Sequence, residues 1–152
     1  MILRGRLLRP APLCLAAALV LGVFVALFGA GCGGTGQLGV TALSQESKSL
    51  QSLAAEGALL AQDAASGKTT HIYTREHAAD LRKAASQVQT SLRVAKTEPP
   101  LGPKLRRLAA LAARVSADLN RLGSASKEQE RAVGRELQTA AQESKKIGGG
   151  LK

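Results

Sequence analysis

The sequence predicts an all-α fold, an antiparallel up-and-down four-helix bundle that follows an N-terminal apolar segment. Four stretches repeat apolar residues every three or four positions, and no stretch alternates apolar and polar residues with period two. Glycine or proline separates the stretches, and such short turns force neighbouring helices to run antiparallel. Tyr73 is the only aromatic residue after residue 28. The core must therefore be built from Leu, Val, Ile and Ala side chains, which suit close-packed helices.

The first helix is predicted over residues 41–65. Its apolar stripe is interrupted by Gly57, which weakens a helix by about 1 kcal/mol relative to alanine but allows a close crossing. Gly67 follows the helix and suits a left-handed C-terminal cap. The stripe consists of Leu43, Leu50, Leu53, Gly57, Leu60 and Ala64.

The second helix is predicted over residues 70–96. It stops before Pro99 and Pro100, because the residue before a proline disfavours helical backbone and proline lacks the amide donor. Its predicted stripe consists of Tyr73, His77, Leu81, Ala84, Val88, Leu92 and Ala95.

The third helix is predicted over residues 102–122, with Pro103 in its first turn. Its apolar residues are spaced alternately by four and three, which is the heptad pattern of a helix seam. The seam consists of Leu101, Leu105, Leu108, Ala112, Val115, Leu119 and Leu122. Basic residues occupy its outer side and form the predicted basic face, namely Lys104, Arg106, Arg107, Arg114 and Arg121.

The fourth helix starts at a predicted capping box, in which Ser126 and Gln129 satisfy each other's backbone amides. It ends at the three glycines of residues 148–150. Its stripe is weaker than that of the third helix, so a three-helix bundle or a dimerising hairpin remain alternative architectures. The stripe consists of Val133, Leu137, Ala140, Ser144 and Ile147.

The N-terminal segment has the layout of an export signal. Arg4, Arg6 and Arg9 precede an uncharged apolar run over residues 11–28, and small residues follow the run. A positive head, an apolar middle and a small-residue end are the three parts of such a signal. The arginines keep the N-terminus on the cytoplasmic side, so the remainder of the chain is predicted to be exported.

The end of this segment resembles the lipobox of bacterial lipoprotein signals, an aliphatic residue followed by two small residues and a cysteine. The matching residues are Gly29, Ala30, Gly31 and Cys32, with glycine in place of the usual aliphatic residue. The resemblance implies that signal peptidase II cleaves before Cys32 and that Cys32 is diacylglycerated on its sulfur. Two alternatives remain, namely cleavage by an ordinary signal peptidase, which releases the protein, and retention of residues 11–31 as a membrane-spanning helix.

These observations predict four segments. Residues 1–31 form a signal peptide or membrane anchor, and residues 32–40 form a glycine-rich tether. Residues 41–148 form the helical bundle, and residues 149–152 form a disordered tail. After the signal, one domain is all that the chain can build.

The charge balance favours anionic partners. The formal net charge is +10, and without the three signal arginines 18 basic and 11 acidic residues leave a net charge of +7. Besides membrane lipid joined through Cys32, the candidate partners are anionic lipid headgroups, a wall polymer, a protein or a second copy of the chain. Nucleic acid is not predicted, because Tyr73 is the only aromatic residue of the exported part that could stack on a base.

Few residues suggest chemistry, and neither a cofactor nor a metal site is predicted. Tyr73 and His77 lie one turn apart, so they either line a cleft with Asp80 nearby or fill the seam at one end of the bundle. His71 and His77 are about 240° apart around a helix and do not converge on one metal. No pair of acids in an apolar setting suggests acid–base catalysis.

The sequence therefore predicts an envelope lipoprotein on the extracytoplasmic side of a membrane. Its bundle is predicted to be a non-enzymatic interaction or structural domain. The alternative is a ligand-binding bundle that holds an apolar or anionic small molecule between its helices.

Overall fold

A computed structural model describes residues 38–151 of the chain. The signal or anchor predicted over residues 1–31, and the tether up to residue 37, lie outside the described residues. Within residues 38–151 the chain forms four α-helices and one short 3-10 turn. These are α1 (Val40–Ala65), α2 (His71–Val94), the 3-10 turn (Pro99–Leu101), α3 (Gly102–Leu122) and α4 (Lys127–Gly149).

The four helices form an antiparallel up-and-down bundle, which confirms the predicted fold class. The most extensive contacts are made by α1 with α4 and by α2 with α3. Smaller interfaces between α3 and α4 and between α1 and α2 close the ring. Because α4 packs against both α1 and α3, the described residues form a four-helix bundle and not the alternative three-helix bundle.

The helix ends follow the predicted local chemistry. The Ser126 hydroxyl accepts a hydrogen bond from the Gln129 amide at 3.5 Å, and the Gln129 side chain accepts one from the Ser126 amide at 2.8 Å. This is the predicted capping box. Gly67 has a φ of 71°, the left-handed conformation that the end of α1 requires. The α3 helix spans the predicted residues, Gly102–Leu122.

The core is lined by the seam of α3 and the stripe of α4. All seven predicted seam residues of α3 are buried, and Leu108, Val115 and Leu119 are fully inaccessible. All five predicted stripe residues of α4 are buried as well. Burial of these leucines stabilises the fold by roughly 1.5–3 kcal/mol each.

Small residues bring α1 and α4 close together. The Ser47 hydroxyl donates to the Ser144 carbonyl at 2.7 Å, and the Ser144 hydroxyl donates to the Ser47 carbonyl at 2.8 Å. A Cβ atom on Gly148 would lie 2.6 Å from the Ser47 hydroxyl oxygen, and one on Gly134 would lie 3.3 Å from the Ala61 Cβ. The reciprocal serine bonds and the absence of side chains at these crossings fix the register of the pair.

The buried side of α2 differs from the prediction in its first half. Thr74 and Ala78 are buried there, whereas Tyr73 is 54 % exposed. The predicted stripe depends on the large side chains, but the Thr74 hydroxyl donates to the Thr70 carbonyl at 3.1 Å and also lies 3.0 Å from the Thr69 hydroxyl. A small hydroxyl residue with a local hydrogen bond can therefore face the core.

Residues 149–151 also differ from the tail that is predicted over residues 149–152, and residue 152 lies outside the described residues. Gly149 is the last residue of α4, and the Leu151 amide donates to the Gly148 carbonyl at 3.1 Å. Leu151 is buried and belongs to the core. Burial of the apolar Leu151 side chain favours folding of the chain back onto the bundle after the glycines.

None of the helices within residues 38–151 is both long enough and apolar enough to cross a membrane.

Candidate functional site

The predicted cleft pair, Tyr73 and His77, lies on the surface of α2. Their rings stack with centroids 5.6 Å apart and planes inclined by 22°. The His77 Nε2 atom lies 2.9 Å from the Glu56 Oε1 atom of α1. In the described part of the chain, Asp80 makes no hydrogen bond to either ring and is exposed. The pair therefore links α2 to α1 at the surface and does not fill the seam.

This surface cluster has the character of a structural contact. Glu56 and His77 are 52 % and 32 % exposed in their side chains. An exposed side-chain contact of this kind contributes about 0–1 kcal/mol. It offers a hydrogen-bonded imidazole but no buried nucleophile beside it.

The predicted basic face of α3 turns out to be paired with acids of α4. Arg107 Nη2 lies 3.0 Å from Glu143 Oε1, and Arg114 Nη2 lies 2.9 Å from Glu143 Oε2. Burial raises the pKa of Glu143, but the hydrogen bonds from Arg107 and Arg114 outweigh burial and lower that pKa below its ordinary value. Glu143 is therefore held in the charged form between two guanidinium groups.

The remaining basic residues extend this pairing. Arg121 bonds to Asp118 at 2.6 Å and also to Glu136, and these hydrogen bonds raise the pKa of Arg121. The Lys104 ammonium donates to the Gly150 carbonyl at the end of α4. Arg106 is exposed and has no ion pair within residues 38–151. Most of the predicted basic face is thus a charged contact between α3 and α4.

Two carboxyl groups are buried inside the described part of the bundle. Asp118 is 3 % exposed and Glu130 is 7 % exposed. Asp118 Oδ1 accepts a hydrogen bond from Arg121, whereas Asp118 Oδ2 and Glu130 Oε2 have no hydrogen-bond partner among residues 38–151. Buried polar groups are normally hydrogen-bonded, so each of these two oxygens can accept a further donor.

Glu130 lines a groove of about 690 Å³ between the C-terminal half of α1 and the N-terminal half of α4. The α1 side supplies mainly apolar surface, and the α4 side supplies charge. Residues that define the groove are Ala55, Ala58, Leu59, Glu130, Arg131 and Arg135.

Sequence reasoning missed both buried acids. Glu130 lies three residues before Val133 and seven before Leu137, so helical spacing places it on the buried stripe of α4. Asp118 lies three residues after Val115 and four before Leu122, on the seam side of α3. An acid in register with an apolar stripe was the signal that could have identified them.

No group of three or more His, Cys, Asp or Glu side chains within residues 38–151 could hold a metal ion. His71 is exposed on the surface. Cys32, the predicted lipid attachment point, lies outside the described residues.

No family model, curated protein or solved structure that was compared with the chain matches it.

Proposed function

We propose that the protein is a lipoprotein of the cell envelope, anchored through Cys32 on the extracytoplasmic side of a membrane. In this proposal the bundle is a non-enzymatic interaction or structural domain. The observation that carries the proposal is the order of residues 4–34, in which three arginines precede an uncharged apolar run, small residues and a cysteine.

The residues after Cys32 support a tethered domain. Three of the six residues over positions 32–37 are glycine, a composition typical of a flexible spacer. Leu38, which follows, packs against the core of the bundle. The bundle begins immediately afterwards at Val40. A lipid on Cys32 would therefore hold the bundle close to the membrane surface while leaving it free to turn.

The charge supports an anionic or protein partner. The exported part carries a net charge of +7, which attracts anionic headgroups or wall polymers through its overall field. Because most of the α3 basic residues are paired with α4, this attraction does not depend on the predicted basic face alone. A protein partner or a second copy of the chain would use the same exposed surface.

Metabolic labelling tests the lipid attachment. Cells that express the full chain are grown with radioactive palmitate, and the membrane fraction is compared for the native chain, Cys32→Ser and Cys14→Ser. We expect label on the native chain and on Cys14→Ser, because Cys14 lies inside the signal, and no label on Cys32→Ser. An unlabelled native chain, or label that survives Cys32→Ser, would remove the proposal.

The groove between α1 and α4 favours a second candidate function, a ligand-binding bundle. The buried carboxyl group of Glu130 suits a ligand that carries a positive charge. A purely apolar or purely anionic ligand would leave this carboxyl group without a partner.

A further inference from the structure

The floor of the groove between α1 and α4 contains a polar group that the bundle does not use. Glu130 is more than nine-tenths buried, and its Oε2 atom has no hydrogen-bond partner within residues 38–151. The same side chain lines the 690 Å³ groove. Burying a carboxyl group without a partner opposes folding, whereas a cationic donor in the groove would satisfy it.

The rim of the groove carries the opposite charge. Arg131 and Arg135 are exposed and lie four residues apart on α4, which makes them neighbours on the helix surface. Neither residue forms an ion pair in the described part of the chain. Two adjacent guanidinium groups are suited to a phosphate or a carboxylate.

The α1 side of the groove is apolar. Ala55 and Ala58 leave room for a ligand, and Leu59 is 64 % exposed beside them. The groove also falls in the range of about 300–1,000 Å³ that is usual for small-molecule sites. A ligand could place a short apolar group here while its charged groups face α4.

We propose that this groove binds a small amphipathic zwitterion. Its primary ammonium group donates to Glu130, its anionic group pairs with Arg131 and Arg135, and its apolar part packs on Ala55, Ala58 and Leu59. Two sources offer this chemistry, namely an aminoethyl phosphate headgroup of a lipid and a free apolar amino acid. The proposal does not depend on lipidation of Cys32.

Calorimetric titration of the full chain in phosphatidylcholine nanodiscs tests the proposal, with empty nanodiscs as the blank. The probe is hexylphosphoethanolamine, which has a primary ammonium group, a phosphate and a short chain. We expect one saturable site in the native chain. Glu130→Gln removes the charge at constant shape and should weaken binding about 10-fold or more, since hydrogen bonds to charged groups contribute about 1.5–3 kcal/mol.

Glu128→Gln is the matched control, because Glu128 is an exposed acid in the same first turn of α4. It should bind the probe like the native chain. A second pair of variants blocks the groove sterically, with Ala55→Trp inside it and Ala110→Trp at an exposed position of α3. Only Ala55→Trp should abolish binding, with unchanged helical circular dichroism in both variants.

Two further probes separate the sources and test the donor. Hexylphosphocholine keeps the positive charge but has no N–H group, so it should bind about 10-fold more weakly than the ethanolamine probe. Norleucine carries the ammonium group with a carboxylate. Tighter binding of norleucine would assign the site to amino acids, and tighter binding of hexylphosphoethanolamine would assign it to lipid headgroups.

The proposal is overturned if neither hexylphosphoethanolamine nor norleucine gives saturable heat with the native chain. It is equally overturned if Glu130→Gln or Ala55→Trp, folded as judged by circular dichroism, binds the better probe as tightly as the native chain does.

Discussion

Glu143 illustrates how single residues hold charge at the surface of this bundle. Its side chain is 25 % exposed and accepts hydrogen bonds from Arg107 and Arg114 of the neighbouring helix. Burial alone would raise its pKa, but the two arginines lower it. A carboxyl group whose pKa is lower in the folded state than in the unfolded state stabilises the fold when it is ionised.

The pH dependence of stability at Glu143 follows from this sign. The stabilisation that ionised Glu143 gives the fold should be complete above its ordinary pKa of 4.5. It should be lost as the pH falls through the lower pKa that Glu143 has in the folded state. Thermal unfolding of the native chain and of Glu143→Gln, measured at about pH 7 and about pH 3, checks this expectation. At about pH 7 the native chain should be more stable than Glu143→Gln, and this difference in stability should be smaller at about pH 3.

Glu76→Gln serves as the control, because Glu76 is an exposed acid whose partner, Arg75, is adjacent to it on the same helix. Its effect on the unfolding temperature should be small at both values of pH. A Glu143→Gln effect that is equal at both values would show that the two arginines do not stabilise the ionised form.

Individual pairings such as Arg107 with Glu143 could not be predicted from the sequence. The spacing of basic residues on α3 indicated an exposed charged side, and this was correct for each of the four arginines. Which acids would face them depends on the rotation and axial register of α4, and the register is set by the packing of residues such as Ser144 and Gly148 against α1. The sequence alone does not contain that register.

Gly57 shows how an element depends on one missing side chain. A Cβ atom at this position of α1 would lie 2.7 Å from the Leu119 Cδ2 atom and 3.1 Å from the Leu137 Cδ1 atom. Both leucines are fully buried and cannot move without disturbing the core. The glycine therefore allows α1 to approach α3 and α4 at the same time.

Gly57→Ala should destabilise the bundle although alanine is the better helix former. The gain in helix propensity is about 1 kcal/mol, whereas overpacking a core costs about 1–3 kcal/mol. Urea unfolding followed by circular dichroism measures the net change. Gly149→Ala is the control, because a Cβ atom there meets nothing within 4 Å, and it should be neutral or slightly stabilising. A Gly57→Ala chain more stable than the native one would contradict the close crossing.

At the scale of elements, strong patterns predicted the structure well and weak patterns did not. The heptad spacing of α3 and the capping box of α4 were confirmed in place. On α2, the large side chains of Tyr73 and His77 suggested the wrong side of the first turns, because Thr74 satisfies its hydroxyl locally and can be buried. Size was a poor guide to burial where alanine and threonine form the contact.

At the largest described scale, residues 38–151 join two close helix pairs, α1 with α4 and α2 with α3, into one bundle. The chain ends of this bundle lie in α1 and α4, which contact each other through small residues. A domain arranged in this way accepts a flexible tether at its start without a change in its core. This arrangement is compatible with the proposed attachment at Cys32, six residues before the first described residue, Leu38.

The export layout and Cys32 were visible in the sequence, because each depends on a short run of neighbouring residues, and both stay predictions outside the described residues. The groove and its buried Glu130 were not, because they arise where α1 and α4 meet, and these helices are far apart along the chain. Tyr73 and His77 were a candidate pair because tyrosine and histidine are rare in this sequence, and the structure places the pair on the surface.

The most direct test of the account is the intact mass of the protein extracted from cell membranes. The account predicts a chain that begins at Cys32 and is heavier than residues 32–152 by a diacylglyceryl group, with any further acyl chain on the new N-terminus. A membrane-bound chain that still begins at Met1, or an unmodified chain that begins at Cys32 and is free in solution, would contradict it.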